Sequence, residues 1–213
     1  MQSERNGRET APVAGILLAA GTSSRMGSNK LLFELDGESL LRRTARRALA
    51  GGLAPLVVVL GHQAERAAAE LEGLAVQIVI NPDYEQGLSS SLKSGVAAVP
   101  AEVGAAMVLL ADMPFVTPDM IAALVARYRT TSVPLVISDY ASVIAPPMVY
   151  DRALFDEIRD MTEGRCGKQV VKRHRQEAEV LSWPATALAD VDVPDDYRKL
   201  QTAPVAAGIE TAG

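Results

Sequence analysis

LAAGTSSRMGSNK, Leu18 to Lys30, is the stretch from which the rest of the chain can be read. It directly follows an apolar run, Ala14 to Ala19, bounded by Gly21. Gly21 and Gly27 let the backbone turn sharply and come close to a ligand. Amides in such a turn can point inward and hold phosphate oxygens. Thr22, Ser23 and Ser24 add small donors, and Arg25 and Lys30 supply two fixed positive charges, as a triphosphate requires. Two better-known phosphate loops are excluded. A P-loop needs glycine directly before its lysine, whereas Ser28 and Asn29 separate Gly27 from Lys30. The dinucleotide fingerprint needs three closely spaced glycines, and Gly21 has no partner two residues on.

Downstream, strand-like runs alternate with helical patterns. The runs are Leu56 to Leu60, Val76 to Ile80, Met107 to Ala111 and Pro134 to Ile137. Between and after them lie helix candidates at Ser39 to Ala50, 63–72, Ser90 to Val99, Pro118 to Tyr128, Asp151 to Met161, Gly167 to Arg175 and Asp195 to Leu200. Thr117 is placed as an N-cap, with Pro118 at the first helical position. Strand then helix, repeated, predicts a mostly parallel sheet in a three-layer α/β/α sandwich. Continuous apolar strands suit a sheet covered on both faces. No linker or internal repeat divides the chain, so 12–201 reads as a single domain between flexible tails at 1–11 and 202–213. Ligands of such sheets bind beyond the carboxyl ends of the strands.

Composition narrows the function classes. Of 213 residues, 48% are hydrophobic and 22% charged, which is globular composition. Aromatics at 4% argue against a base-stacking nucleic-acid platform, and a net charge of −5 against a nonspecific duplex or membrane-surface binder. Cys166 is the single cysteine, so no internal disulfide can form, and no targeting segment is visible. The expectation is a cytoplasmic protein.

The loop LAAGTSSRMGSNK resembles the signature of the MobA-like nucleotidyltransferases, and most of all that of the molybdenum cofactor cytidylyltransferases. The resemblance covers roughly residues 13–200 and is strongest in the first half. It implies a Rossmann-like nucleotidyltransferase fold, Lys30 on the nucleotide phosphates, and Arg25 stabilising the charge that develops on them. It also implies that Leu18, Ala19, Ala20 and Gly21 edge the nucleotide pocket. Alanine rather than glycine at Ala20 is similar to the CTP-using members; its methyl narrows the space for a purine, a modest discrimination.

Three further segments carry candidate residues. LLADMP, Leu109 to Pro114, sets Asp112 at the end of a buried strand, where its carboxylate can begin a magnesium site. Asp112 matches the family's metal-binding aspartate; taken alone, an aspartate there also suits a helix cap. DVDVPDDY, Asp190 to Tyr197, resembles the family's C-terminal motif, so Asp192, or Asp190, is expected to complete the metal site; Asp195 and Asp196 also suit the start of a last helix. NPDYEQGLSSSL, Asn81 to Leu92, resembles the segment NPxxxxGxxxSL. Asn81 is expected to bond base or ribose, Gly87 to turn closely, and Ser89, Ser90 and Ser91 to stand at a helix N-terminus that favours an anion. Serine capping explains the same residues.

The second half departs from the cytidylyltransferase pattern. In place of a Gly-His-Pro element stands Ile144-Ala145-Pro146-Pro147, and in place of Gly-Asp-x-Gly stands Gly164-Arg165-Cys166-Gly167. Both elements belong to the acceptor side. Asp139 and Tyr140 are placed there too. Arg165, Lys168, Lys172 and Arg173 form either a basic rim for a phosphate-bearing acceptor or a solvated helix face. His62 follows a strand near the crevice, Trp183 reads as packing, and two histidines with one cysteine do not spell zinc.

The resemblance therefore implies a magnesium-dependent transfer of CMP from CTP to the phosphate of molybdopterin, with release of pyrophosphate and a molybdoenzyme as possible recipient. Neither nucleic acid nor membrane is an expected partner. The rivals are the same chemistry with GTP or on a sugar or alcohol phosphate, a non-catalytic molybdenum cofactor carrier or chaperone, and a Rossmann oxidoreductase, against which the missing glycine fingerprint stands.

Overall fold

A computed structural model describes residues 8, 10–21, 29–161 and 166–188. Its strands, in chain order, are β1 Val13–Ala19, β2 Glu34–Leu35, β3 Glu38–Ser39, β4 Leu56–Leu60, β5 Val76–Ile80, β6 Ala105–Leu110, β7 Leu135–Tyr140, β8 Val143–Asp151 and β9 Glu179–Trp183. Its α-helices are α1 Leu40–Ala50, α2 Ala64–Glu70, α3 Leu88–Ala98, α4 Pro118–Thr130, α5 Phe155–Asp160 and α6 Cys166–His174. Seven strands form one sheet in the order β5-β4-β1-β6-β8-β7-β9, and β2 with β3 forms a small hairpin. Only β8 runs against its neighbours; every other pair in the large sheet is parallel.

All of β1 is buried. Val13, Leu17 and Ala19 face one core with Leu41 and Ala45 of α1, Ala67 of α2 and Ile121 of α4. Ala14, Ile16 and Leu18 face the other, with Leu92 of α3, Ile158 of α5 and Val170 of α6. The alternation is that of a strand sandwiched between two helical layers. The predicted three-layer α/β/α sandwich is therefore the fold observed. The helix starts follow local chemistry. Ser39 Oγ accepts the Arg42 amide at 3.2 Å, and Thr117 Oγ1 accepts that of Met120 at 3.2 Å, one cap ahead of each helix.

β8 and β9 were not foreseen, and β8 shows why. Prolines ordinarily argue against an inner strand because they cannot donate to the ladder. Pairing of β6 with β8 ends at Val108 opposite Met148, one residue after Pro147, and the β7 pairing shifts register between Val136 and Ser138. Pro146 and Pro147 thus sit where the ladder is already interrupted. β5 departs in a second way. It is an edge strand with Ile78 and Ile80 exposed, not a strand covered on both faces. At the other end of the molecule Arg8, inside the expected N-terminal tail, donates to the carbonyls of Thr131 and Val133, pairs with Asp151 and lies over the Tyr128 ring. The last predicted helix, Asp195 to Leu200, lies outside the described residues.

The chain leaves β1 towards β4 and β5 on one side and comes back to β6 on the other. The carboxyl ends of β1, β4 and β6 therefore surround a topological switch point, where open sheets of this kind hold ligands.

Candidate active site

Backbone bonds lace the strand ends at that point. The Ala111 amide donates to Leu18 O at 3.1 Å and the His62 amide to Ala20 O at 3.3 Å. Asn29, buried, fixes the far end of the loop: its amide nitrogen donates to His62 O at 3.4 Å, and its oxygen caps the Lys30–Leu32 turn through the Leu31 amide at 3.2 Å. The sequence reading passed over Asn29, although an asparagine ahead of a short helical turn is a recognisable cap. Leu18, Ala19 and Ala20 are buried around this junction and Gly21 is exposed beyond it. Thr22 to Ser28, with Arg25 and Gly27, lie outside the described residues, as do Asp190 and Asp192.

Lys30 and Asp112 are brought together at the switch point. Lys30 Nζ lies 2.7 Å from Asp112 Oδ2, with both side chains largely but not wholly shielded. Lys30 opens the 30–32 turn that Asn29 caps, and Asp112 stands two residues past the end of β6. Partial burial strengthens such a pair relative to one in bulk water and leaves the carboxylate open to a competing cation.

Asn81 and Ser91 also come together, chiefly with each other. Asn81 is buried; its amide group donates to Ser90 Oγ at 2.9 Å and Ser91 Oγ at 3.0 Å, and its oxygen accepts the Asp83 amide at 3.0 Å. These bonds tie the 81–87 loop to the first turn of α3. Gly87 precedes α3 with φ +100°, a conformation that L side chains rarely adopt. Gly61 has a different reason to be glycine. A Cβ there would stand 2.5 Å from Tyr84 Cβ and 2.9 Å from Ala20 Cβ, so Tyr84 packs on bare backbone beside Ala20. Gly61→Ala is expected to lower stability by about 1–3 kcal/mol through overpacking, read as a lower urea midpoint with an unchanged slope.

Helix α1 lies beneath the Asp112 turn. Thr44, buried, has its hydroxyl 3.2 Å from Ala111 O and 2.9 Å from Leu40 O. Arg47 donates to Pro114 O and Val116 O. Desolvation by burial, with Arg43 and Arg46 nearby, lowers the Arg47 pKa from its ordinary value. The other arginines of α1 also have partners: Arg42 on the carbonyls of Glu70 and Glu72, Arg43 on Leu35 O and Asp36, Arg46 on Glu38.

The far half of the crevice is built by the ends of β7 and β9 and the start of β8. Trp183 Nε1 donates to Ser138 Oγ at 2.9 Å, and Ser138 Oγ donates to Pro147 O at 2.7 Å. Tyr140 OH donates to Pro146 O at 3.0 Å, and burial pushes its pKa up to about 12, so it stays protonated at neutral pH. Asp139 accepts the Ser142 amide at 2.6 Å. Trp183, read as packing, therefore also holds a polar network. On α6, Lys168 and Lys172 are exposed, while Arg173 bonds Glu157 at 2.9 Å and His174 bonds the same carboxylate at 2.8 Å. Arg165 lies outside the described residues.

No group of three or more His, Cys, Asp and Glu side chains placed to hold a metal occurs among the described residues. A closed zinc or calcium cage is therefore not what these side chains build. A single carboxylate at the switch point fits an ion such as magnesium, which completes its shell with water and ligand oxygens. Nor is any helix among the described residues long and apolar enough to cross a membrane.

A switch-point crevice on this sheet, with one reversed strand beyond it, is the nucleotidyltransferase architecture. The chain belongs to the MobA-like NTP transferase family, whose domain matches residues 15–178. It is 30% identical to the nicotine blue oxidoreductase of Paenarthrobacter nicotinovorans, over 76% of this chain and 82% of that one. It is 27% identical to the purine catabolism protein PucB of Bacillus subtilis, over 89% of this chain and 96% of that one. Over 53% of the chain, and 55% of the relative, it is 34% identical to a probable molybdenum cofactor guanylyltransferase of Natronomonas pharaonis. Among solved structures, Rv0371c of Mycobacterium tuberculosis superposes with a TM-score of 0.81 at 25% identity, over 91% of this chain and 98% of that one.

Proposed function

We propose that this chain transfers CMP from CTP to the phosphate of molybdopterin, with Asp112 as the magnesium ligand and pyrophosphate as the leaving group. The observation that carries the reading is the meeting of Lys30 and Asp112 at the switch point, where the cation that ends a loop of the family's signature type lies 2.7 Å from the carboxylate on the turn after β6. An acceptor phosphate is already anionic, so the reaction needs alignment and charge neutralisation more than a base. A phosphate oxygen bonds to the α-phosphorus as the bond to the β-phosphate bridge breaks. Lys30 and Arg25 hold the phosphates, and Leu18 to Gly21 border the base. Asn81, Gly87 and Ser91 shape the pocket by fixing the 81–87 loop. Bound on Asp112, with Asp192 as second ligand, magnesium supplies charge neutralisation at the phosphates. The neutral Ile144 to Pro147 stretch and Asp139 belong to the acceptor side. A cytoplasmic setting and delivery to a molybdoenzyme complete the proposal.

Thermal stabilisation by CTP, GTP, ATP and UTP, each with and without magnesium, tests it. A nucleotide at about a hundredfold its Kd adds roughly 2.7 kcal/mol, or about 5–10 °C for a domain of this size. The expected result is a magnesium-dependent shift with CTP alone, followed by pyrophosphate release once molybdopterin is added. A shift with GTP alone would keep the class and overturn the part assigned to Ala20; the Natronomonas relative makes that the competing base.

A second reading rests on the relative named an oxidoreductase. The absent glycine fingerprint excludes a Rossmann dinucleotide site, but it does not speak to redox chemistry on the MobA-like fold. Quenching or enhancement of NADH or NADPH fluorescence by the protein, without any nucleoside triphosphate shift, would favour it.

A further inference from the structure

Asp112 sits on a turn that has little to hold it from its own side. The Met113 amide reaches Leu110 O at 3.4 Å and the Val116 amide reaches Met113 O at 3.3 Å, both long for backbone bonds. Beyond the Ala111 amide on Leu18 O and the Lys30–Asp112 pair, the support of the turn comes from α1. Thr44 shares its one buried hydroxyl proton between Leu40 O at 2.9 Å and the carbonyl immediately before Asp112, Ala111 O, at 3.2 Å, and Arg47 places one guanidinium nitrogen on two carbonyls after it. These donors lie one helical turn apart on the same face of α1, the spacing that lets two side chains grip one segment. α1 is itself anchored to the end of α2 by Arg42 and to the β2–β3 hairpin by Arg43 and Arg46, so the grip is fixed to the body of the fold.

We propose that Thr44 and Arg47 are positioning residues for the metal-binding carboxylate: together they hold the 111–116 turn so that Asp112 faces the crevice. The assignment rests on the reading of Asp112 as a metal ligand. Neither residue touches the ion or the nucleotide. Each acts through the backbone, as groups behind a metal ligand do, and their removal should weaken the metal site without changing its donor.

The test measures Mn2+ binding to the nucleotide-free protein, from the loss of the free-ion electron paramagnetic resonance signal, alongside the melting temperature of each variant. Arg47→Met keeps the aliphatic stem and removes both bonds; Thr44→Val keeps the shape and removes the hydroxyl. Both are expected to raise the Mn2+ Kd by roughly 10–100-fold, the range typical of such supporting groups. Thr44→Ser, which restores the hydroxyl, is expected to bring affinity back to within about threefold of the original. In turnover, the metal concentration for half-activation should rise while the nucleotide KM stays constant. A merely structural role would lower the melting temperature and leave the Mn2+ Kd of the folded protein unchanged, and that result overturns the assignment. If Arg47→Met does not fold, Thr44→Val and Thr44→Ser decide alone, because a buried valine is well tolerated in a helix that packs against aliphatic side chains. An original protein that binds Mn2+ no better than Asp112→Ala overturns the metal reading itself, and with it this one.

Discussion

Asp112→Asn is expected to reduce nucleotidyl transfer about a thousandfold while leaving the fold intact. Asparagine keeps the shape and one oxygen but not the negative charge that attracts a divalent ion. Charge stabilisation by a bound ion contributes several kcal/mol to such a transition state, and about 4 kcal/mol corresponds to that loss. Asp112 lies in a turn and is partly exposed, so its replacement opens no cavity in either core. The measurement is steady-state pyrophosphate release with CTP and molybdopterin across a magnesium series, with the melting temperature as control. Activity within tenfold of the original at saturating magnesium would remove Asp112 from the centre of the chemistry.

Lys30→Met carries the second large effect, and its two parts have opposite signs. Lys30 is assigned to the triphosphate, so nucleotide affinity should fall about 10–100-fold, as expected for losing a bond of roughly 1.5–3 kcal/mol to a charged group. In this structure the same ammonium lies 2.7 Å from the Asp112 oxygen that would ligate the ion. A metal arriving alone must compete with it. Without Lys30, Mn2+ binding in the absence of nucleotide should therefore tighten, by about fivefold or more, at the lower end of ordinary coupling between sites. In the original protein a nucleotide that draws Lys30 onto its phosphates should strengthen metal binding, and the metal should strengthen nucleotide binding by the same factor. Lys30→Met should abolish that mutual effect. Calorimetric titration of each ligand with and without the other measures it; weaker Mn2+ binding in the variant would show that Lys30 is not the ion's competitor.

The parts of this arrangement legible in the sequence are those set by local pattern. β4 and β5 begin and end where the β-branched runs do, and Thr117 with Pro118 marks the start of α4. The Leu18 to Lys30 loop announces itself because glycine and cations occur together after a strand. β8 was illegible because its two prolines are tolerated only by a break in pairing that two other strands create. Arg47 was illegible for a related reason. α1 carries four arginines, and which carbonyl each one meets depends on where α2, the β2–β3 hairpin and the Asp112 turn come to rest. Asn81 shows the converse: its motif was visible, but only the packed loop reveals that its amide bonds two serines.

The reversed strand has a consequence for how such a protein can change over generations. Residues 13–112 carry β1, β4, β5 and β6 and all the candidate nucleotide and metal groups but Asp192, whereas 135–183 carry β7, β8 and β9. Within the sheet the two stretches meet along the single β6–β8 seam. Under the proposed function, mutation can therefore rewrite the second stretch, and with it the acceptor side, while the first is kept under selection for the donor. Descent with one conserved half and one inventive half is what this seam permits, and a chimera cut between residues 112 and 135 is the natural place to exploit it.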